Sequence, residues 1–152
     1  MIGLGAPARL ALILAAGVLA SASQASTKVP DLVGRWTTPG GDTVEFGSCA
    51  DQVAEISLRG RIVAIRDPSG RDRRDVRNPA AASRGRPILG LEIVRGLRES
   101  PPGVWTSGSL YNPDDGRTYR GEIHMQASDR LELKGCALVV ICQAQTWRRT
   151  RP

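Results

Sequence analysis

The sequence predicts an all-β protein built as a single small antiparallel β-barrel of about eight or nine strands. Three observations predict it. First, apolar and polar side chains alternate with a period of two, as in Ile123, Met125 and Ala127 against Glu122, His124 and Gln126. Such alternation puts one strand face on a core and the other in water. Second, clusters of Pro, Gly, Asn and Asp separate these runs. Third, no segment past residue 26 sustains a helical period. A small open sheet would leave an exposed edge, and closing it into a barrel removes that edge.

The first element stands apart from the barrel. Residues 1–25 run from Arg9 through an apolar stretch, Leu10 to Ala20, into Ser21, Ala22, Ser23, Gln24 and Ala25. Charge, short apolar run and small residues, in that order, read as a secretory signal peptide. The run is shorter than the roughly 20 apolar residues of a membrane span. Cleavage is expected after Ala22 or Ala25, with Ser23-Gln24-Ala25 the preferred site. Residues 26–152 then form one domain, with no transmembrane segment and no access to cytosolic nucleic acid.

Strands are expected near 32–38, 43–48, 52–58, 60–66, 87–97, 104–111, 117–126, 130–135 and 140–149. The first opens on Gly34-Arg35-Trp36 and ends at Pro39-Gly40-Gly41-Asp42. In the run 87–97, Leu89, Leu91, Ile93 and Leu97 share a face. Pro101-Pro102-Gly103 separates it from 104–111. Asn112-Pro113-Asp114-Asp115-Gly116 closes that strand, Ser128-Asp129 follows 117–126, and Leu131 and Leu133 alternate in 130–135. The last strand carries Thr146-Trp147-Arg148-Arg149. First and last strands are neighbours in a closed barrel. An arginine of the last can therefore lie across Trp36, a cation–π contact of about 0.5–2 kcal/mol. Trp36, Trp147 and Arg149 are accordingly expected to seal one end. Leu58, Ile62, Leu91, Ile93, Ile123, Met125, Leu131 and Leu133 should face inward, into a lumen that is packed or holds one small ligand.

The stretch from Asp67 to Arg86 breaks the regularity, having no hydrophobic face. It reads as a long polar loop whose arginines and aspartates pair weakly at the surface. The formal net charge is +6 at pH 7, carried by 19 arginines and only two lysines, Lys28 and Lys134. This lopsided use reads as compositional bias, with an electrostatic role at an anionic surface as the alternative.

Three cysteines remain. Cys136 and Cys142 are spaced for a bridge around a hairpin turn, and such a small ring adds about 2 kcal/mol in the loop-closure model. Cys49 is left as an odd thiol. No Cys-x-x-Cys is present and His124 is the only histidine, so no metal site is expected. His124 lies on the polar face, away from any nucleophile. Asp114 and Asp115 are explained by turn chemistry. No phosphate loop, dinucleotide fingerprint or calcium loop occurs. The expectation is therefore a protein without catalytic residues and without cofactor.

Several motifs occur together: Gly34-x-Trp36; Gly60-Arg61-Ile62-Val63; Asp75-x-x-Asn78-Pro79; Arg86-Pro87-Ile88-Leu89-Gly90; and Trp105-x-x-Gly108-x-Leu110-Tyr111-Asn112-Pro113-x-Asp115-Gly116-x-Thr118-Tyr119. Leu131-x-Leu133-x-Gly135-Cys136 and Cys142-x-x-Gln145-Thr146-Trp147-x-Arg149 complete the set. On these residues the chain resembles a bacterial family of exported proteins, domain of unknown function 2147, with a lipocalin-like barrel fold. The resemblance implies that fold and export to the periplasm or medium, but no activity. Relatives often carry a cysteine where Arg59 stands here. The resemblance thus implies the Cys136–Cys142 disulfide and leaves Cys49 without that partner. Its polar positions, Asp75, Asn78, Arg86, Tyr111, Asn112, Asp115 and Tyr119, are the candidate ligand-binding residues; the alternative is a structural role, with Asn78-Pro79 and Asn112-Pro113 as turns and Asp75 capping a loop or pairing with Arg86. The expected function is binding of a small apolar or amphipathic envelope molecule. The alternative is an envelope interaction protein whose arginine-rich loop 66–86 meets anionic lipid or a protein partner.

Overall fold

The computed structural model describes residues 32–50, 56–67, 69, 73–138 and 140–151. The expected leader at 1–25 lies outside them. Eight strands follow in order: β1 (Gly34–Thr37), β2 (Thr43–Ala50), β3 (Ile56–Ala64), β4 (Glu92–Glu99), β5 (Val104–Asn112), β6 (Arg117–Ala127), β7 (Arg130–Ala137) and β8 (Ile141–Arg149). Each pairs antiparallel with its neighbour in sequence, and β8 returns to β1, closing the barrel. The connections β1–β2, β3–β4, β5–β6 and β7–β8 therefore all lie at one end. The start of β1, the β6–β7 turn and the C-terminus of β8 lie at the other.

Over the described residues the expected runs 52–58 and 60–66 are one strand, β3, and residues 52–55 lie outside those described. Gly60 does not break it. A Cβ there would come within 2.8 Å of Phe46 and 3.0 Å of Val94, so Gly60 is where β3 lets two interior side chains pass over its backbone. The strand expected from 87 starts at Glu92, because Ile88–Leu91 form a turn with Gly90 at φ +84°. The shared face of Leu89, Leu91, Ile93 and Leu97 is also corrected. Register shifts between β3 and β4 bury Leu91, Val94 and Leu97, while Leu89 is exposed. A second shift, between Trp105 and Gly108, carries Ser107 at φ +63°. That bulge turns Leu110 inward, where strict alternation from Trp105 would have placed Ser109 or Tyr111.

The lower half of the barrel is packed solid. Leu32, Trp36, Phe46, Leu58, Leu97, Trp105, Ile123 and Leu131 are buried there in one cluster. Trp36 Nε1 donates to the Leu32 carbonyl at 2.9 Å. The Arg149 guanidinium lies 4.4 Å from the Trp36 ring centroid and donates to the carbonyls of Ser128 (2.8 Å) and Val33 (3.2 Å). One side chain thus ties the entry to β1, the β6–β7 turn and β8 together over the indole. Arg149→Ala should cost about 1–2 kcal/mol, read as a lowered urea midpoint at unchanged slope; an unchanged midpoint would remove this role.

Candidate functional site: an open lumen with a braced rim

The upper half of the barrel is hollow. A cavity of about 580 Å³ is walled by aliphatic side chains, among them Val44, Ile62, Ile93, Val94, Leu110 and Leu133, with Trp147 at its base. Trp147 sits 6.1 Å from Phe46, ring centre to ring centre, at the boundary with the packed half. Of the residues expected to face the lumen, Ile62, Ile93 and Leu133 line this cavity. Leu58, Ile123 and Leu131 instead fill the solid half. Leu91 is buried outside the cavity wall, and Met125 packs partly buried on the core. Alternation shows which face is inward but not at what height the interior is filled.

The cavity opens at the end carrying the four connections. Thr38, Asp42, Asn112, Arg117, Leu138 and Ile141 stand at its mouth. It also opens sideways, because β8 pairs with β1 only through Trp36↔Arg149 and Thr37↔Arg148. Residues 141–146 are paired on the β7 side alone and are exposed. Gln143 and Gln145 alternate with Trp147 along this open strand and face the cavity. Gln145 Oε1 accepts from Trp147 Nε1 at 3.1 Å. These two glutamines are absent from the polar positions expected from sequence; their phase with a buried tryptophan is the signal that marks them.

The polar positions divide into two groups. Asp75 is completely buried beneath the β3–β4 connection. Its Oδ1 accepts from Tyr111 Oη at 2.5 Å, and its Oδ2 accepts from Asn78 Nδ2 at 2.8 Å and from Arg86 Nε at 2.9 Å. Arg86 Nη2 reaches the same oxygen at 2.8 Å, and its guanidinium lies 5.6 Å from the Tyr111 ring centroid. Asn78 also donates to Tyr111 Oη at 3.0 Å, and its Oδ1 accepts from the Ala80 amide. Burial pushes the Asp75 carboxyl up, but the bonds from Tyr111, Asn78 and Arg86 outweigh it and hold the group below the ordinary carboxylate value. Tyr111 is pushed up, by burial first and then by its bond to Asp75.

Over residues 73–86 the expected solvated loop is therefore corrected to a folded connection; residues 68 and 70–72 lie outside those described. It has no hydrophobic face because its organising centre is a buried carboxylate. Arg73 pairs with Asp114 at 2.6 Å, Arg74 donates to the Gly85 carbonyl and Arg84 to the Asn78 carbonyl. Arg74, Arg84 and Arg86 thus hold the loop itself, and Arg73 ties it to the β5–β6 turn.

The second group forms the β5–β6 turn. Asn112 Oδ1 accepts from the Asp114 amide, Asp115 Oδ1 accepts from the Arg117 amide, and Tyr119 Oη donates to Asp115 Oδ2. Burial pushes Asp115 up, and the Tyr119 and Arg117 bonds bring it below its usual value. The same bond, ahead of burial, raises Tyr119. Tyr111, Asn112 and Tyr119 line the cavity; Asp75, Asn78, Arg86 and Asp115 stand behind them.

His124 is on the outer face of β6, its Nε2 3.4 Å from Glu122 Oε2. Cys136 and Cys142 face each other across β7 and β8 and are joined by a disulfide. Cys49 is on β2. Among the described residues no group of three His, Cys, Asp or Glu side chains could hold a metal ion. No described helix is long and apolar enough to cross a membrane.

Comparison with known proteins agrees with this architecture. Residues 34–149 match the model of a family described as "Uncharacterized protein conserved in bacteria (DUF2147)". Among solved structures, the chain is similar to protein HP1028 from the human pathogen Helicobacter pylori, described as belonging to the lipocalin family. The TM-score is 0.65 and the identity 21%, over 79% of this chain and 83% of that one. A search of curated proteins returns no match.

Proposed function

We propose, from the premise that this chain belongs to the DUF2147 family of bacterial proteins, that it is a non-catalytic binding protein holding one small apolar or amphipathic molecule in its lumen. The observation that carries this reading is the cavity. Its volume of about 580 Å³ suits a single small molecule, since ligand pockets run from roughly 300 to 1,000 Å³. Its apolar wall is mainly aliphatic, with Tyr111, Tyr119 and Trp147 as its aromatic members. The aliphatic part suits an acyl chain. Tyr111, Asn112 and Tyr119 orient the ligand's polar end, while Asp75, Asn78, Arg86 and Asp115 hold them in place. The disulfide supports an oxidising, exported setting, and no cofactor is required.

Titration with a dansyl-labelled fatty acid tests the reading, alongside native mass spectrometry of protein purified from its own host. Saturable binding is expected, with one bound molecule per chain. Leu133→Trp should weaken binding roughly tenfold or more by filling the lumen, at an unchanged melting temperature. Absence of both saturable binding and any bound molecule would overturn the proposal.

A further inference from the structure

We infer that the open end of the barrel docks on an anionic lipid surface, with the tip of the β7–β8 hairpin inserted among the lipids. Six large apolar side chains are exposed among the described residues. Five of them, Val76, Leu89, Leu138, Val140 and Ile141, are at the open end. The hairpin tip is the extreme case: Leu138 is 81% exposed, Val140 83% and Ile141 61%. The Cys136–Cys142 disulfide clamps the two strands at its base. Aliphatic side chains braced at a hairpin tip form a small wedge, a shape that inserts shallowly into a bilayer interface.

The charge around the wedge is mainly positive, with Asp42 the carboxylate that shares the mouth. No aspartate or glutamate occurs from Leu133 to the C-terminus. Arg120 is in register with Cys136 on β6, and Arg117 stands with Leu138 at the cavity mouth. In the adjoining β5–β6 turn the carboxylates are engaged, Asp115 by Tyr119 and Asp114 by Arg73. Cations flanking an apolar insert are attracted to anionic headgroups within a Debye length of the surface.

A protein partner fits this end less well. Protein interfaces concentrate energy in aromatic and arginine anchors set in pockets. Here the exposed groups are aliphatic, none aromatic, and they project from two separate connections, an arrangement suited to a fluid medium. Leu138 and Ile141 are also cavity residues, so a docked barrel presents its mouth to the lipid. Docking of this kind does not depend on what fills the lumen.

The test is flotation of residues 26–152, disulfide intact, with vesicles of phosphatidylcholine containing roughly one-third phosphatidylglycerol. Pure phosphatidylcholine is the control, and the expected leader is omitted because it would bind lipid by itself. Flotation with the anionic vesicles is expected, reduced by salt. The double variant Leu138→Asp/Val140→Asp should lose roughly tenfold or more in partitioning. Both sites are exposed, and aspartate tolerates the positive φ at Leu138, so its melting temperature should match the parent's. In a Val140→Trp variant, brominated lipid should quench the fluorescence of the introduced indole. Failure of the parent to float, equal flotation of the double variant, or an introduced indole that stays unquenched would each overturn the inference. So would sedimentation showing that the tip instead mediates pairing with a second copy. Fatty-acid binding measured without vesicles separates this outcome from failure of the lumen reading.

Discussion

Asp75→Asn should lower the melting temperature by roughly 10 °C, corresponding to about 3 kcal/mol. The carboxylate is fully buried and accepts from three side chains. An amide in its place turns an N–H₂ toward one set of those donors and leaves a donor facing a donor. Arg86 keeps partial contact with water, so part of its charge is recovered by solvent, which sets the estimate below a fully buried pair. The same substitution changes the acid limb of the stability curve. The folded carboxyl lies below its ordinary value, so its contribution is fully present above the unfolded value near pH 4 and is lost as pH falls through the folded one. The parent should lose stability steeply in that range and the variant less so. Parallel acid limbs for the two proteins would contradict the assigned charge state. The tyrosines act oppositely: Tyr111 and Tyr119 are raised, so their contribution holds below about pH 10 and fades as pH climbs through the folded values.

Gly116→Ala should destabilise the barrel by roughly 3 kcal/mol, far more than a turn glycine ordinarily costs. Its φ is +72°, and an added Cβ would lie 1.9 Å from the Arg77 carbonyl oxygen. The β5–β6 turn and the β3–β4 connection are pressed together there, so the methyl group must push one from the other. Gly90 supplies the control. It has φ +84° with nothing near its missing Cβ, so Gly90→Ala reports backbone strain alone, about 1 kcal/mol. Equal losses at the two positions, measured by urea unfolding, would show that contact with Arg77 carries no weight.

Much of the barrel is legible in the sequence. Period-two runs such as 117–126 and 130–135 mark strands whose inward faces follow directly from side-chain alternation. Pro-Asp-Asp-Gly marks a turn because each residue has a local reason to be there. The spacing of Cys136 and Cys142 points to a bridge across a hairpin. What alternation cannot show is any break in its own phase. The bulge at Ser107 and the shifts near Gly60 depend on how neighbouring strands meet, so Leu110 and Val94 do not stand out as interior residues. The segment 73–87 is legible only in part. The Asp75–Arg86 pairing can be read from its charges, but the burial of that carboxylate and its bond from Tyr111 leave no trace in the hydrophobic pattern.

Local chemistry written along the chain is thus enough to determine strand and turn, because each depends on neighbours a few residues away, and closure follows from the edge that so small a sheet would otherwise expose. Only tertiary structure decided that the interior is half solid and half hollow, that β8 is left partly unpaired, and that Tyr111 rests on Asp75. Those properties depend on volumes and registers summed around the whole circumference, where distant residues meet.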